Sequence, residues 1–216
     1  MTLLKTRFEV QLVSYWTSRF CIVVIFFWLV ACSSQAQTVP ALVSGETGRN
    51  FAETGFSVKG EFLPFFEIYG GVESLGNPLS EEMDVDGWWV QYFENGRLEY
   101  HPENEPTYRV TVGWLGDLLN RRRPPVPPGS IPTAGEDNRR YFSETGHTLS
   151  GDFLRYFDTH GGSVRFGLPI SEPFLEQGRV TQDFQSARFY WSVEAAEFVT
   201  LEQIGRTHYE RVIDPK

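Results

Sequence analysis

The polar residues that recur at a fixed distance carry the chemistry of this chain. Residues 51–100 and 142–191 align without a gap at an offset of 91, and 18 of the 50 aligned positions are identical. Most of the shared positions are Gly, Pro or Phe, which build scaffold: phenylalanine fills a core and glycine supplies turns. The polar remainder is Glu53/Glu144, Thr54/Thr145, Ser80/Ser171, Glu81/Glu172, Gln91/Gln182 and Arg97/Arg188. An arginine among aromatic residues needs a carboxylate, and Glu53 or Glu81 can supply one as a bidentate partner. Gln91 and Arg97 flank Glu94 symmetrically, so they are expected to face each other across a strand ladder on one side of a sheet. Two chemistries fit this pattern. One is an internal Arg–Glu–Gln network that fixes a helix against a hairpin. The other is a ligand-binding cleft in each copy.

The aromatic residues offer a second surface. Trp88, Trp89, Tyr92 and Tyr100 alternate in one copy, and Phe189, Tyr190 and Trp191 end the matching run in the other. Flat rings stack on sugar faces, and a neighbouring arginine or glutamine can hydrogen-bond hydroxyls. The same rings serve cross-strand packing, so both roles stay open. The candidate ligand-binding set is Arg97, Arg188, Gln91, Gln182, Trp88, Trp89, Tyr92 and Trp191.

Catalytic and metal chemistry find little support. The four histidines, His101, His147, His160 and His208, stand at no metal-ligand spacing, and none of the first three recurs across the repeat. Ser80 and Ser171 lack the flanking glycines of a nucleophile elbow. Asp84-Val85-Asp86-Gly87 is a fragment of a calcium loop, and the second copy reads Leu175-Glu176-Gln177-Gly178 there. No catalytic residue, metal or cofactor is assigned. Paired carboxylates such as Glu53 and Glu81 would be needed to cleave a glycosidic bond.

The chain begins with a targeting pattern. Lys5, Arg7 and Arg19 precede an apolar stretch from Phe20 to Ala31. That stretch is shorter than the ~20 residues of a spanning helix and fits a secretory h-region. Leu29-Val30-Ala31-Cys32, followed by Ser33-Ser34-Gln35, resembles the bacterial lipobox. The resemblance implies cleavage before Cys32 and a diacylglyceryl group on its sulfur, which makes the membrane a partner. An uncleaved anchor and ordinary cleavage near Ala36 are the alternatives. The only other cysteine is Cys21, so the exported domain has no disulfide and needs a hydrophobic core of its own. Residues 1–31 carry a net +2, so the remainder carries −11 where the whole chain has −9. So acidic a domain is a poor partner for nucleic acid.

These observations divide the chain into a signal segment (1–31), a small polar tether (32–47), unit one (48–120), a Pro-rich linker (121–138) and unit two (139–213). The Arg121–Arg123 triplet reads as a solvated linker end. Phe62, Phe65, Phe66 and Tyr69 fall on one face of a helix over 60–69. Phe153, Tyr156, Phe157 and His160 repeat the pattern, with Ser150 as N-cap and the paired glycines 70–71 and 161–162 as stops. Ser80 and Ser171 are placed to cap short turns. Aromatic runs around Asn95-Gly96 predict a β-hairpin, and Gln185-Ser186-Ala187 stands at the matching turn. The fold class is α+β, with two homologous units, each a short helix plus a β-hairpin and small accessory elements.

Leu75-Gly76-Asn77-Pro78, Gln91-Tyr92-Phe93-Glu94-Asn95-Gly96 and Val112-Gly113-Trp114-Leu115-Gly116 together resemble the LGFP repeat of bacterial cell-envelope proteins. Asn77 stands where the family name has Phe, the second copy has Phe166 for Leu, and Ala187 replaces Gly96. The resemblance implies association with the cell wall and assigns no residue-level site. The sequence therefore leads to an exported, lipid-anchored, non-enzymatic protein of the cell envelope. It is expected to bind peptidoglycan, a polysaccharide or an envelope protein. A glycan-acting hydrolase and a purely structural spacer are the rival readings. If Arg97 and Arg188 are internal struts, Arg97→Ala and Arg188→Ala should each lower the melting temperature by several degrees. Lost ligand binding at an unchanged melting temperature would overturn that role.

Overall fold

The computed structural model describes residues 48–132, 138–195 and 198–215. The signal segment, Cys32, the tether and linker residues 133–137 lie outside the described residues. The fold is α+β, and the same order of elements occurs twice along the chain. The first half comprises β1 (Arg49–Asn50), β2 (Ser57–Val58), α1 (Phe62–Ile68), α2 (Gly71–Leu75), β3 (Met83–Val85), β4 (Trp88–Phe93), β5 (Gly96–Tyr100), β6 (Val110–Val112) and α3 (Leu115–Leu118). The second comprises β7 (Arg139–Phe142), β8 (His147–Ser150), α4 (Gly151–Thr159), α5 (Gly162–Phe166), β9 (Phe174–Glu176), β10 (Arg179–Asp183), β11 (Arg188–Trp191), β12 (Val199–Leu201) and α6 (Ile204–Val212). Each half forms a four-stranded antiparallel meander, β3-β4-β5-β6 and β9-β10-β11-β12, beside a two-stranded pair.

The apolar periodicity of α1 buries Phe62, Phe65 and Phe66 against Phe93 and Leu98 of the sheet. Phe153 and Phe157 of α4 pack likewise on Phe184 and Phe189. Each such ring removed from water contributes about 1.5–3 kcal/mol, and these two clusters supply the cores that no disulfide reinforces. Ser150 holds the N-cap position of α4, but its side chain makes no capping bond. The paired glycines do more than stop a helix. Gly70 (φ 91°) and Gly161 (φ 98°) are left-handed, which ends one helix and starts α2 or α5 at an angle to it. Neither second helix was expected from the sequence.

The β4–β5 hairpin differs by one residue from the expected register. Phe93 pairs with Gly96, Tyr92 with Arg97 and Gln91 with Leu98. The loop is therefore Glu94-Asn95, and Gln91 and Arg97 lie on opposite faces of the sheet. Asp84–Gly87 belongs to a further hairpin. Asp86 (φ 55°) and Gly87 (φ 87°) connect β3 to β4, the two positive φ angles of a type I′ turn. Gln177 and Gly178 do the same between β9 and β10.

The two halves complete each other. Helix α3, which follows the first sheet, seats on the β10–β11 turn: Gly116 N donates to Gln185 O at 2.8 Å. Helix α6, which follows the second sheet, seats on the β4–β5 turn: Arg206 N donates to Glu94 O at 3.0 Å. Leu115 and Ile204, at the starts of these helices, are fully buried. A Cβ at Gly205 would land inside van der Waals contact of Phe93 O and of the Gly96 backbone; one at Gly116 would strike Phe184 O. A Cβ at Gly96 would meet only the Leu75 side chain at 3.4 Å and those of Arg165 and Val112 at 3.7 Å, so the contact demands glycine at 205 and not at 96. In an ordinary exposed helix, Gly→Ala stabilises by about 1 kcal/mol. Gly205→Ala should do the reverse here and lower the melting temperature by several degrees in thermal denaturation. A raised or unchanged value would show that α6 does not seat on the turn.

Candidate functional site

The shared polar residues tie the strand before each helix to the sheet. Gln91 Nε2 donates to Ser57 O (2.7 Å) and Ser80 O (2.9 Å). Gln182 Nε2 donates to Thr148 O (2.8 Å) and Ser171 O (2.9 Å). Ser80 Oγ and Ser171 Oγ accept from the backbone N–H of Tyr92 (3.2 Å) and Asp183 (2.9 Å), so they brace strands instead of capping turns. Glu81 accepts from Ser57 N at 2.9 Å and Glu172 from Thr148 N at 2.7 Å. Neither Glu53 nor Glu81 is the arginine's partner. Both glutamines are fully buried, which places them inside the framework and away from any ligand.

The arginines lie on the other face of each sheet. In the first half, Arg97 Nε donates to Glu99 at 2.9 Å and Nη1 to the Tyr92 hydroxyl at 3.0 Å. Helix α6 roofs this face. His208 Nδ1 lies 3.0 Å from the Tyr92 hydroxyl, its ring stacks on the tyrosine, and Tyr209 meets the same ring edge-on. Tyr92 is fully buried, so it presents no surface to a ligand. Burial pushes its hydroxyl above the ordinary tyrosine range, against the pull of Arg97. Burial, then the charges of Arg97 and Arg211, lowers His208 to about 4, with Glu99 opposing.

In the second half the same face is open. Arg188 is ringed by carboxylates: Asp183 at 2.5 and 3.2 Å, Glu176 at 2.5 Å and Glu202 at 3.4 Å. Burial works against its charge, but these carboxylates hold it above its ordinary value. Burial raises Asp183, opposed by Arg188. The roof here is not a long helix but the segment after α3. Arg121 Nη2 donates to Glu202 at 2.7 Å, and Arg123 lies 3.7 Å over the Phe174 ring. Arg121 is therefore bound to the second half and is not a solvated linker end. Arg122 pairs with Asp117 of α3. Beyond these arginines lies a cleft of about 730 Å³, lined by Arg179, Thr181, Arg188, Tyr190, Thr200 and Glu202, and bordered by Glu94 and Asn95 of the opposite half.

The remaining candidates are dispersed. Trp88 and Trp89 sit at the β3–β4 tip, 41% and 54% exposed, with Trp88 against His101. Trp191 is 39% exposed, donates Nε1 to Asp152 at 2.9 Å and stacks on Phe198. Of the candidate set, only Arg188 lines the cleft. Arg179, Glu176 and Glu202 also line the cleft, and none of them is shared by both copies. The signal was in their differences: Arg179 stands where the first half has Trp88, and Tyr190 where it has Glu99.

No protein-family model matches this chain, and no curated protein matches it.

The buried His208 makes stability depend on pH. Its folded value of about 4 lies below its unfolded value near 6.5. Between the two, the unfolded chain binds more protons, so stability rises with pH and is complete above about 6.5. The melting temperature should fall by several degrees from pH 7 to pH 4.5. The difference between wild type and His208→Gln should shrink over the same range. A difference independent of pH would contradict a neutral, buried His208.

Proposed function

We propose that this chain is an exported, lipid-anchored, non-enzymatic protein that binds a cell-envelope polymer, peptidoglycan or another polysaccharide. The cleft on the second sheet is the binding site. The observation that carries this reading is an asymmetry: the same sheet face is sealed by α6 in the first half and open in the second. The open face presents hydroxyls, a tyrosine ring and an arginine in one polar cleft, the groups that recognise sugars. The lipobox-like Cys32 and the likeness to LGFP repeats support an envelope location.

A hydrolase retains one supporting observation, since Glu176 and Glu202 both reach Arg188 Nη1. A retaining hydrolase uses two carboxyl groups about 5–5.5 Å apart, one donating a proton and one attacking. Here both are bound to guanidinium groups, and Glu202 also holds Arg121. Such pairing suits carboxylates that structure an arginine better than carboxyls that exchange protons.

The test is a pull-down of the chain from residue 33, which retains the whole compact unit 44–216, on purified peptidoglycan, cellulose and chitin. Retention on one polymer without release of soluble reducing sugar is expected. Tyr190→Ala should weaken that retention about tenfold, equivalent to about 1.4 kcal/mol. Sugar release would replace this reading with the hydrolase, and no retention on any polymer would favour a spacer.

A further inference from the structure

Among the described residues, every charge lining the cleft is matched except one. Glu94 is held by Arg206 at 2.8 Å, Glu202 by Arg121 at 2.7 Å and Glu176 by Arg188 at 2.5 Å. Arg188 in turn is saturated by Asp183, Glu176 and Glu202. Arg179 has no carboxylate within ion-pair distance. Its guanidinium lies over the Tyr190 ring, 4.7 Å from the centroid, and the side chain is exposed in the cleft.

That arrangement prepares a specific kind of contact. A guanidinium resting on a ring uses its face for the ring and keeps its N–H donors in plane around its edge. A carboxylate is the planar two-oxygen acceptor that fits this fork. Tyr190 pairs in the ladder with Thr181 on one side and Thr200 on the other, so threonines flank the platform. The first half has no such feature. Trp88 replaces Arg179, and Glu99, which replaces Tyr190, is spent on Arg97. The unmatched cation belongs to the open face alone.

We infer that the cleft selects a sugar bearing a carboxylate, with Arg179 forking the carboxylate and Tyr190 fixing the plane of that fork. This rests on the glycan-binding reading and adds the ligand's charge to it. The domain carries −11 overall, so long-range attraction does not bring an acidic sugar to it. Selectivity must come from this local contact. The carboxylate has two sources, the lactyl group of a muramic sugar that carries no stem peptide or the acid of a uronate polymer.

Calorimetric titration of the chain from residue 33 separates them. The ligands are N-acetylmuramic acid against N-acetylglucosamine, and trigalacturonate against its methyl ester. The acid of at least one pair should bind about tenfold or more tighter than its neutral counterpart. The pair that shows this identifies the source. Arg179→Gln should remove the preference, bringing the affinity for the acid down to that for its neutral counterpart, while leaving the melting temperature unchanged. Equal binding within both pairs, or a preference that survives Arg179→Gln, would overturn the inference and leave glycan binding intact. Failure of all four ligands alongside retention on a polymer would likewise overturn only the carboxylate selection. Failure of all four with no polymer retention would remove both readings.

Discussion

The structure depends on a backbone contact that only glycine permits. In each half, a helix laid down after the last strand presses a glycine onto the hairpin turn of the other half: Gly205 on Phe93 and Gly96, Gly116 on Phe184 and Gln185. The contact is heavy-atom backbone against backbone, so any side chain would separate the helix from the turn. Between the two contacts, positions 74 and 165, which the offset of 91 makes equivalent, meet directly. Arg165 is fully buried and donates Nε to Ser74 Oγ and Nη2 to Ser74 O, both at 2.8 Å. No carboxylate neutralises it, and burial lowers its pKa to about 10. An unpaired buried charge is costly, and here backbone and hydroxyl oxygens of the opposite half stand in for the missing anion. Arg165 stays charged at neutral pH even when buried, and Ser74 of the opposite half supplies the oxygens that make this tolerable.

The same exchange explains why one sheet face is closed and the other open. Helix α6 can run for nine residues across the first sheet, laying His208 and Tyr209 on Tyr92. Helix α3 has four residues. The chain must then travel on to build the second half, and Pro124 and Pro125 forbid helix soon after Arg123. What reaches the second sheet is an extended segment whose cover is arginine side chains, with Arg123 N donating to Ile170 O and Val126 N to Gly146 O. Arginines satisfy carboxylates at one end of the face and leave the rest uncovered. The cleft follows from connectivity: after α3 the chain is drawn along the second half as an extended segment, and only α6 is long enough to roof a sheet face.

The helices and the existence of the hairpins were legible because they rest on local pattern. Phe62, Phe65 and Phe66 announce a helical face, and alternating aromatics announce strands. The register was not legible because Asn95-Gly96 has the composition of a primed turn, whereas Gly96 is the first residue of β5, paired with Phe93, and both are held by Gly205, more than a hundred residues away. Asp86-Gly87 is the true primed turn, and its resemblance to part of a calcium loop hid the strands on either side. The shared polar residues form hydrogen-bonded networks in both halves, and sharing marks what both halves need. Gln91 and Gln182 serve the framework, and the open face is built from positions where the halves differ. Arg121 was unreadable as a contact because its partner, Glu202, lies 81 residues later.

One substitution pattern links framework and cleft. Gly113 N–H donates to Arg97 O, and Glu202 N–H donates to Arg188 O, so these two residues hold the same place in the two ladders. In the first half the arginine's carboxylate is Glu99, on β5 itself, and it fills the space a side chain at 113 would need. In the second half Asp183 and Glu176 hold the arginine, with Glu202, past the end of β12, as a third and more distant carboxylate, and position 190 is released from the ion pair. Tyrosine occupies it. A ring there gives Arg179 a surface to lie on, in a place where a glutamate would have neutralised it. Supplying the arginine's carboxylates from 183, 176 and 202 in place of 99 thus preserves the buried arginine, and at the same time creates the platform and the unmatched cation of the cleft.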